Sequence, residues 1–187
     1  MSQYDKNLDK NNANFVPLTP LSFLERAKDI YPNYEALVYE DQKYTWSEIY
    51  KRCIKFASAL EKILGKIKNG IDFFQTQYVF EAKKLEEYMK VLEDAGVLEK
   101  TSFLIGLGPF ASAKSAKWMN DNLFGVDVPD EIVKRLEQAK DQKEESKKIC
   151  LELIQIFREI KGVKGIHLMG HKKEEVIAEI IKESKIS

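Results

Sequence analysis

Gly70-Ile71-Asp72-Phe73-Phe74-Gln75-Thr76-Gln77-Tyr78-Val79-Phe80 is the stretch on which the fold turns. From Ile71 to Gln77 it reads as a strand, and the grammar of the chain changes there. A helical pattern follows, with Leu85, Tyr88, Met89 and Leu92 on one face and Gly96 as its C-terminal stop. Ser102-Phe103-Leu104-Ile105 is a second strand, opening onto Gly106-Leu107-Gly108-Pro109. Helices are expected from about Ser112 to Asn122, from Val128-Pro129-Asp130, and through Ile149, Leu153, Ile156, Phe157 and Ile160. Gly165-Ile166-His167-Leu168-Met169 is a third strand, and a last helix carries Val176, Ile177, Ile180 and Ile181. Strand and helix thus alternate three times, which implies parallel βα units and an α/β fold. An incomplete barrel and a small open sheet satisfy this pattern equally.

Upstream, the chain reads as a small α+β segment. Residues 1–13 are polar and are expected to be a disordered leader. Thr19-Pro20 starts a helix with the stripe Leu21, Leu24, Ala27 and Ile30; Ser22 and Glu25 offer an alternative capping box. Ala36 to Tyr39 is a short strand, Glu40 to Lys43 a turn, and Tyr44 begins a return strand. Thr45 and Glu48 box the start of a helix carrying Trp46, Ile49, Cys53, Phe56, Leu60 and Ile63.

The 187 residues are enough for one ordinary domain, or a small domain with an appendage. Apolar residues make up 44%, too many for a disordered chain. Thirty basic residues balance thirty acidic ones, so charge gives no case for a nucleic-acid or anionic-membrane partner. No apolar run is long enough for a membrane span. The polar start carries no secretion signal, and the cytoplasm is the expected location. Cys53 and Cys150 lie far apart in helical patterns and read as reduced core thiols. Charge runs such as Lys140 to Glu145 read as solvated helix faces.

In parallel βα architectures the chemistry sits where strands end. The first such end carries Gln75 and Gln77. Two readings stand: amides presented to a polar ligand, or amides on one face bonded to neighbouring backbone. The second end, Gly106-Leu107-Gly108-Pro109-Phe110-Ala111, superficially fits a dinucleotide fingerprint. Pro109 removes an amide, however, and no second strand ends in an acid about twenty residues on. Plain turn chemistry is the favoured reading, ahead of a loop that lets a ligand reach the backbone. At the third end His171 follows the strand and is a ligand candidate, while His167 lies within it. Their spacing lacks the helix and the glutamate of a zinc protease site, so no metal is expected. No serine or thiol triad is present.

These residues resemble a known family. Gly70 to Phe80, Leu107-Gly108-Pro109, Ser112-Ala113-Lys114-Ser115-Ala116-Lys117-Trp118-Met119-Asn120, Val128-Pro129-Asp130-Glu131 and Gly162-Val163-Lys164-Gly165-Ile166-His167 are similar to methylenetetrahydrofolate reductases. The likeness runs from about Lys66 to Ile186. It implies strands six to eight of a flavin-dependent (β/α)8 barrel, a partial barrel made of three C-terminal βα units. It makes Thr76-Gln77 the dipeptide that holds the pterin ring of folate. Gly108 and Phe110 would border the aminobenzoate part. The family's tyrosine and arginine after the last strand have no counterpart in Met169 to Lys173. Its catalytic glutamate and most FAD contacts lie on strands one to five, so no catalytic residue is assigned here. FAD is the family's cofactor but is not expected to be retained by this chain. A homo-oligomer, or a fragment that complements the barrel, is the implied partner.

A second resemblance covers residues 14–65. Asn14-Phe15-Val16-Pro17-Leu18-Thr19-Pro20-Leu21-Ser22-Phe23-Leu24-Glu25-Arg26 and Tyr44-Thr45-Trp46-Ser47-Glu48-Ile49-Tyr50-Lys51-Arg52-Cys53 look like the N-terminus of AMP-forming acyl-CoA synthetases. The ATP-binding motifs of those enzymes are absent, so no catalytic role follows. The join is expected within Leu60 to Lys68, as one continuous helix, dividing the chain into 14–65 and 66–187.

Overall fold

The computed structural model describes residue 15, residues 17–170 and residues 173–185. The expected leader and the candidate His171 lie outside them. The chain divides into two compact units, Met1–Lys62 and Ile63–Ser187.

In the first unit α1 (Pro20–Ile30) follows an N-cap Thr19 whose side chain and that of Ser22 bond each other's backbone amides. Ser22 is thus the partner in this box, not the head of a second box with Glu25. Strands β1 (Glu35–Tyr39) and β2 (Gln42–Thr45) form an antiparallel pair, turning at Glu40, which adopts a left-handed φ of 52°. Helix α2 (Trp46–Lys68) begins with the expected reciprocal bonds between Thr45 and Glu48. It runs unbroken across the expected join. No described residue of this unit is buried.

The second unit contains a three-stranded parallel sheet in the order β3 (Phe73–Tyr78), β4 (Ser102–Leu107), β5 (Val163–Leu168). Helix α3 (Ala82–Asp94) links the first two strands. Helices α4 (Ala113–Asn122), α5 (Asp130–Gln138) and α6 (Gln142–Glu159) link β4 to β5, and α7 (Glu174–Ser184) follows β5. β3 starts at Phe73 rather than Ile71 because the Ile71 amide still donates to the Lys66 carbonyl in the turn that ends α2. α3 stops as expected: Gly96, at φ 67°, donates to Glu93 and Val97 donates to Leu92, the paired bonds of a Schellman turn.

One face of the sheet is closed. Phe103, Ile105 and Leu107 of β4 are buried, and so are Leu85, Met89, Leu92, Leu136, Ile149, Ile154, Phe157 and Ile180 of the helices. The other face is open. Phe73 is 52% exposed, Gln75 and Gln77 are exposed, and Leu104 and His167 are only half-buried. The Lys140–Glu145 run does more than solvate a helix. Asp141 caps α6, Gln142 accepts the Ala113 amide, and Glu145 joins Glu152 in gripping the Arg135 guanidinium of α5. Spacing along one helix cannot reveal partners supplied by another.

Candidate functional site

The carboxyl ends of β3, β4 and β5 lie side by side, and the residues at them are held by specific contacts. Between Gln75 and Tyr78 the β3–β4 register slips. Thr76 fills the gap: its hydroxyl accepts the Gly106 amide at 2.8 Å and donates to the Gln77 carbonyl. Thr76 therefore links the strands. The Gln77 side chain is exposed, and its Oε1 accepts the Tyr78 amide at 3.1 Å. The acceptor half of the amide is used locally, as the second reading allowed. Among the described residues no acceptor is bonded to its Nε2.

The glycines of the second end have a different cause from the favoured one. Neither Gly106 nor Gly108 has a positive φ, so turn chemistry does not require them. A Cβ on Gly106 would lie 2.6 Å from the Gln77 carbonyl oxygen, and one on Gly108 would overlap the Met169 carbonyl oxygen. These glycines let β4 press against the ends of both neighbours. Gly108 is buried, with the Tyr78 ring over it. Phe110 is 2% exposed; its ring lies 4.5 Å from that of Phe80, and its amide donates to the buried Ser146 hydroxyl at 2.6 Å. An aromatic row Tyr78, Phe80, Phe110 thus connects the β3 and β4 ends.

Two concavities open at this edge. One, of about 360 Å³, is lined by Gln77, Tyr78, Glu81, Lys84, Tyr88 and Asp127. The Lys84 ammonium pairs with both Glu81 and Asp127, and these bonds raise its pKa. Burial raises both tyrosine phenols, which stay protonated at neutral pH. The other, of about 610 Å³, is lined by Phe110, Ala111, Lys143, Lys173, Glu174 and Glu175. Lys173 donates to the Pro109 carbonyl, and burial lowers its pKa. Sequence reasoning missed Lys84 and Lys173, each of which has a partner far along the chain, Asp127 and Pro109 respectively. His167 lies in register with Gly106. Among the described residues no cluster of three or more His, Cys, Asp or Glu could hold a metal.

Cys150 is fully buried, and desolvation pushes its thiol up to about 12. Cys53 is exposed, contrary to its reading as a core thiol, because its unit has no core. One thiol should therefore react rapidly with a disulfide reagent in the native protein, and the second only after unfolding. Two fast thiols would mean that the second unit opens readily.

A parallel βα sheet with an amide, aromatic rings and lysines gathered at its strand ends defines an α/β protein. The model of the methylenetetrahydrofolate reductase family matches residues 44–185, and the chain belongs to that family. The match begins within β2, ahead of Lys66. A shorter likeness is to CoA ligases. The chain is 50% identical over 58 residues to a probable CoA ligase of Humulus lupulus, covering 31% of this chain and 10% of that one. It is 45% identical over 64 residues to a peroxisomal trans-cinnamate:CoA ligase of Petunia hybrida, covering 34% and 11%. The chain thus spans about a tenth of the length of these relatives. A reductase-family part and a piece similar to acyl-CoA ligases are joined in one chain. Among solved structures, an uncharacterized Clostridium thermocellum protein that binds two copies of 5-methyl-5,6,7,8-tetrahydrofolic acid superposes with a TM-score of 0.45. It is 21% identical, and the superposition covers 73% of this chain and 51% of that one. No helix among the described residues is long and apolar enough to cross a membrane.

Proposed function

We propose that the second unit is the folate-facing wall of a methylenetetrahydrofolate reductase-type barrel, contributing its last three βα units. One observation carries this reading. Gln77 stands exposed at the carboxyl end of β3 with its Oε1 held by the Tyr78 amide, which orients Nε2 as a free donor. A donor fixed in this way suits the acceptor edge of a pterin. Thr76 sets the position of Gln77 through its bond to β4.

The family generally uses FAD. Of the lysines at the strand ends, Lys84 is engaged by two carboxylates and Lys173 by a carbonyl, while Lys143 lines the larger concavity with no ion pair among the described residues. The family resemblance puts most flavin contacts on strands one to five, which these three βα units do not include. No hydride step is assigned to these residues. The chain alone should purify without a flavin spectrum and show no NAD(P)H-dependent turnover. Supplying the missing strands should restore both.

The direct test is titration with methyltetrahydrofolate. Binding should be weak, and Gln77→Ala should weaken it about tenfold, the worth of a hydrogen bond or two. Unchanged affinity in Gln77→Ala would remove Gln77 from the site. The open sheet face favours a second reading, a non-catalytic subunit that completes its barrel against another chain, since parallel sheets are normally covered on both faces. A ligase-related role is weaker, with about a tenth of those enzymes represented. The cytoplasm is the proposed location, with no nucleic-acid or membrane partner.

A further inference from the structure

On the open face of the sheet, two glycines are each covered by a side chain from the neighbouring strand. Phe103, Ile105 and Leu107 are buried on the helix side, so strand alternation turns Leu104 and Gly106 to the open side. Gly165 pairs with Leu104 and His167 with Gly106, which puts both on that side too. A Cβ on Gly165 would stand 3.0 Å from Leu104 Cδ2, and one on Gly106 would stand 2.6 Å from Met169 Cε. Leu104 therefore leans over β5, and the Met169 methyl reaches over β4.

Met169 is half-buried and extends the β5 ladder, its amide donating to the Leu107 carbonyl at 2.8 Å. The same Cβ position on Gly106 lies 2.6 Å from the Gln77 carbonyl oxygen, so the Met169 methyl and the Gln77 backbone meet over Gly106.

Two places could hold a ring bonded to Gln77. One is the concavity of about 360 Å³ beside α3, with Tyr78, Phe80 and Tyr88. The other is the sheet face. Along β3 exposure alternates: Phe73, Gln75 and Gln77 are exposed, while Phe74, Thr76 and Tyr78 are half-buried. The Gln77 side chain thus stands with Phe73 and Gln75 on the open side. The floor next to it is low, because Gly106 carries no side chain, and apolar, because the Met169 thioether crosses it.

We propose that Met169 is a ligand-contacting residue: a planar ring that takes the Gln77 Nε2 hydrogen bond at its edge rests its face on the Met169 thioether, over Gly106. This rests on the folate reading above and assigns the pterin to the sheet face instead of the concavity. A thioether on a flexible stem is polarisable, makes favourable contacts with aromatic rings and adapts to their position.

Nuclear magnetic resonance of the full chain, labelled at its methionine methyls and titrated with methyltetrahydrofolate, tests this. The chain has four methionines; Met169→Leu assigns the signal, and buried Met89 is the reference. The Met169 methyl should shift on binding and show through-space contacts to pterin protons. Met169→Ala should weaken binding by about two- to tenfold, and Met169→Leu, which keeps the volume, should lose less. Tyr88→Ala, in the concavity, should bind as the wild type does. A Met169 methyl that stays unmoved while ligand is bound, or unchanged affinity in Met169→Ala, would overturn the proposal and leave the folate reading standing. Loss of binding in Tyr88→Ala would overturn it in favour of the concavity. A shifted methyl with unchanged affinity in Gln77→Ala would sustain Met169 and remove Gln77 from the site. A wild-type chain that binds no methyltetrahydrofolate would overturn both.

Discussion

Gly108→Ala should lower the stability of the second unit by about 3 kcal/mol or more, at the upper end of what overpacking costs. The added methyl would overlap the Met169 carbonyl oxygen and press on the Tyr78 ring. A flexible side-chain tip could yield, but the Met169 carbonyl is backbone held by the bond from the Met169 amide to Leu107. Relief would require β4 and β5 to separate at their carboxyl ends, where the register pairs Leu107 with Leu168. Gly65→Ala provides the contrast. Nothing lies within 4 Å of its would-be Cβ, and it sits in exposed helix, so alanine should stabilise by about 0.5–1 kcal/mol. Urea unfolding of both variants checks the pair. Equal, small effects would mean that the strand ends are looser than the contacts indicate.

Phe110→Ala should cost about 3–5 kcal/mol, the range for emptying a buried phenylalanine site. The family resemblance made Phe110 a border of the ligand site. Its ring is packed on Phe80, which is itself 2% exposed, its amide is tied to Ser146, and it also lines the larger concavity. Removing the ring leaves a void between the β3 and β4 ends and forfeits an aromatic contact worth about 0.5–1.5 kcal/mol beyond area. Phe110→Leu should lose much less, since it refills most of the volume. Affinity for methyltetrahydrofolate, expressed per folded molecule, should change little in Phe110→Leu. A stable Phe110→Ala protein that had lost folate binding would return the residue to the ligand.

The site was legible in part. Gln77 stood out in the sequence because an amide in an otherwise apolar strand demands a partner. The structure shows that the neighbouring Tyr78 amide takes half of that demand. Thr76, read as a ligand residue, lines the smaller concavity while its hydroxyl bridges a slipped ladder, and a slip between strands leaves no mark on either one. Lys84 and Lys173 gave no signal, because a lysine looks the same in sequence whether it faces water or a distant acceptor, here Asp127 for Lys84 and the Pro109 carbonyl for Lys173.

Local and periodic features were decided by the sequence itself. The capping residues Thr19, Thr45 and Ser112, the Gly96 stop, the hairpin and the three strand–helix alternations depend on contacts within a few residues. Their energies are set before any long-range packing exists. The order of the parallel strands, the open face carrying Phe73, Gln75 and Gln77, and the exposure of Cys53 belong to tertiary structure alone. So does the requirement for glycine at 106 and 108. Each depends on which distant backbone or side chain arrives alongside, and an apolar stripe looks the same whether it finds a core or stays open to water.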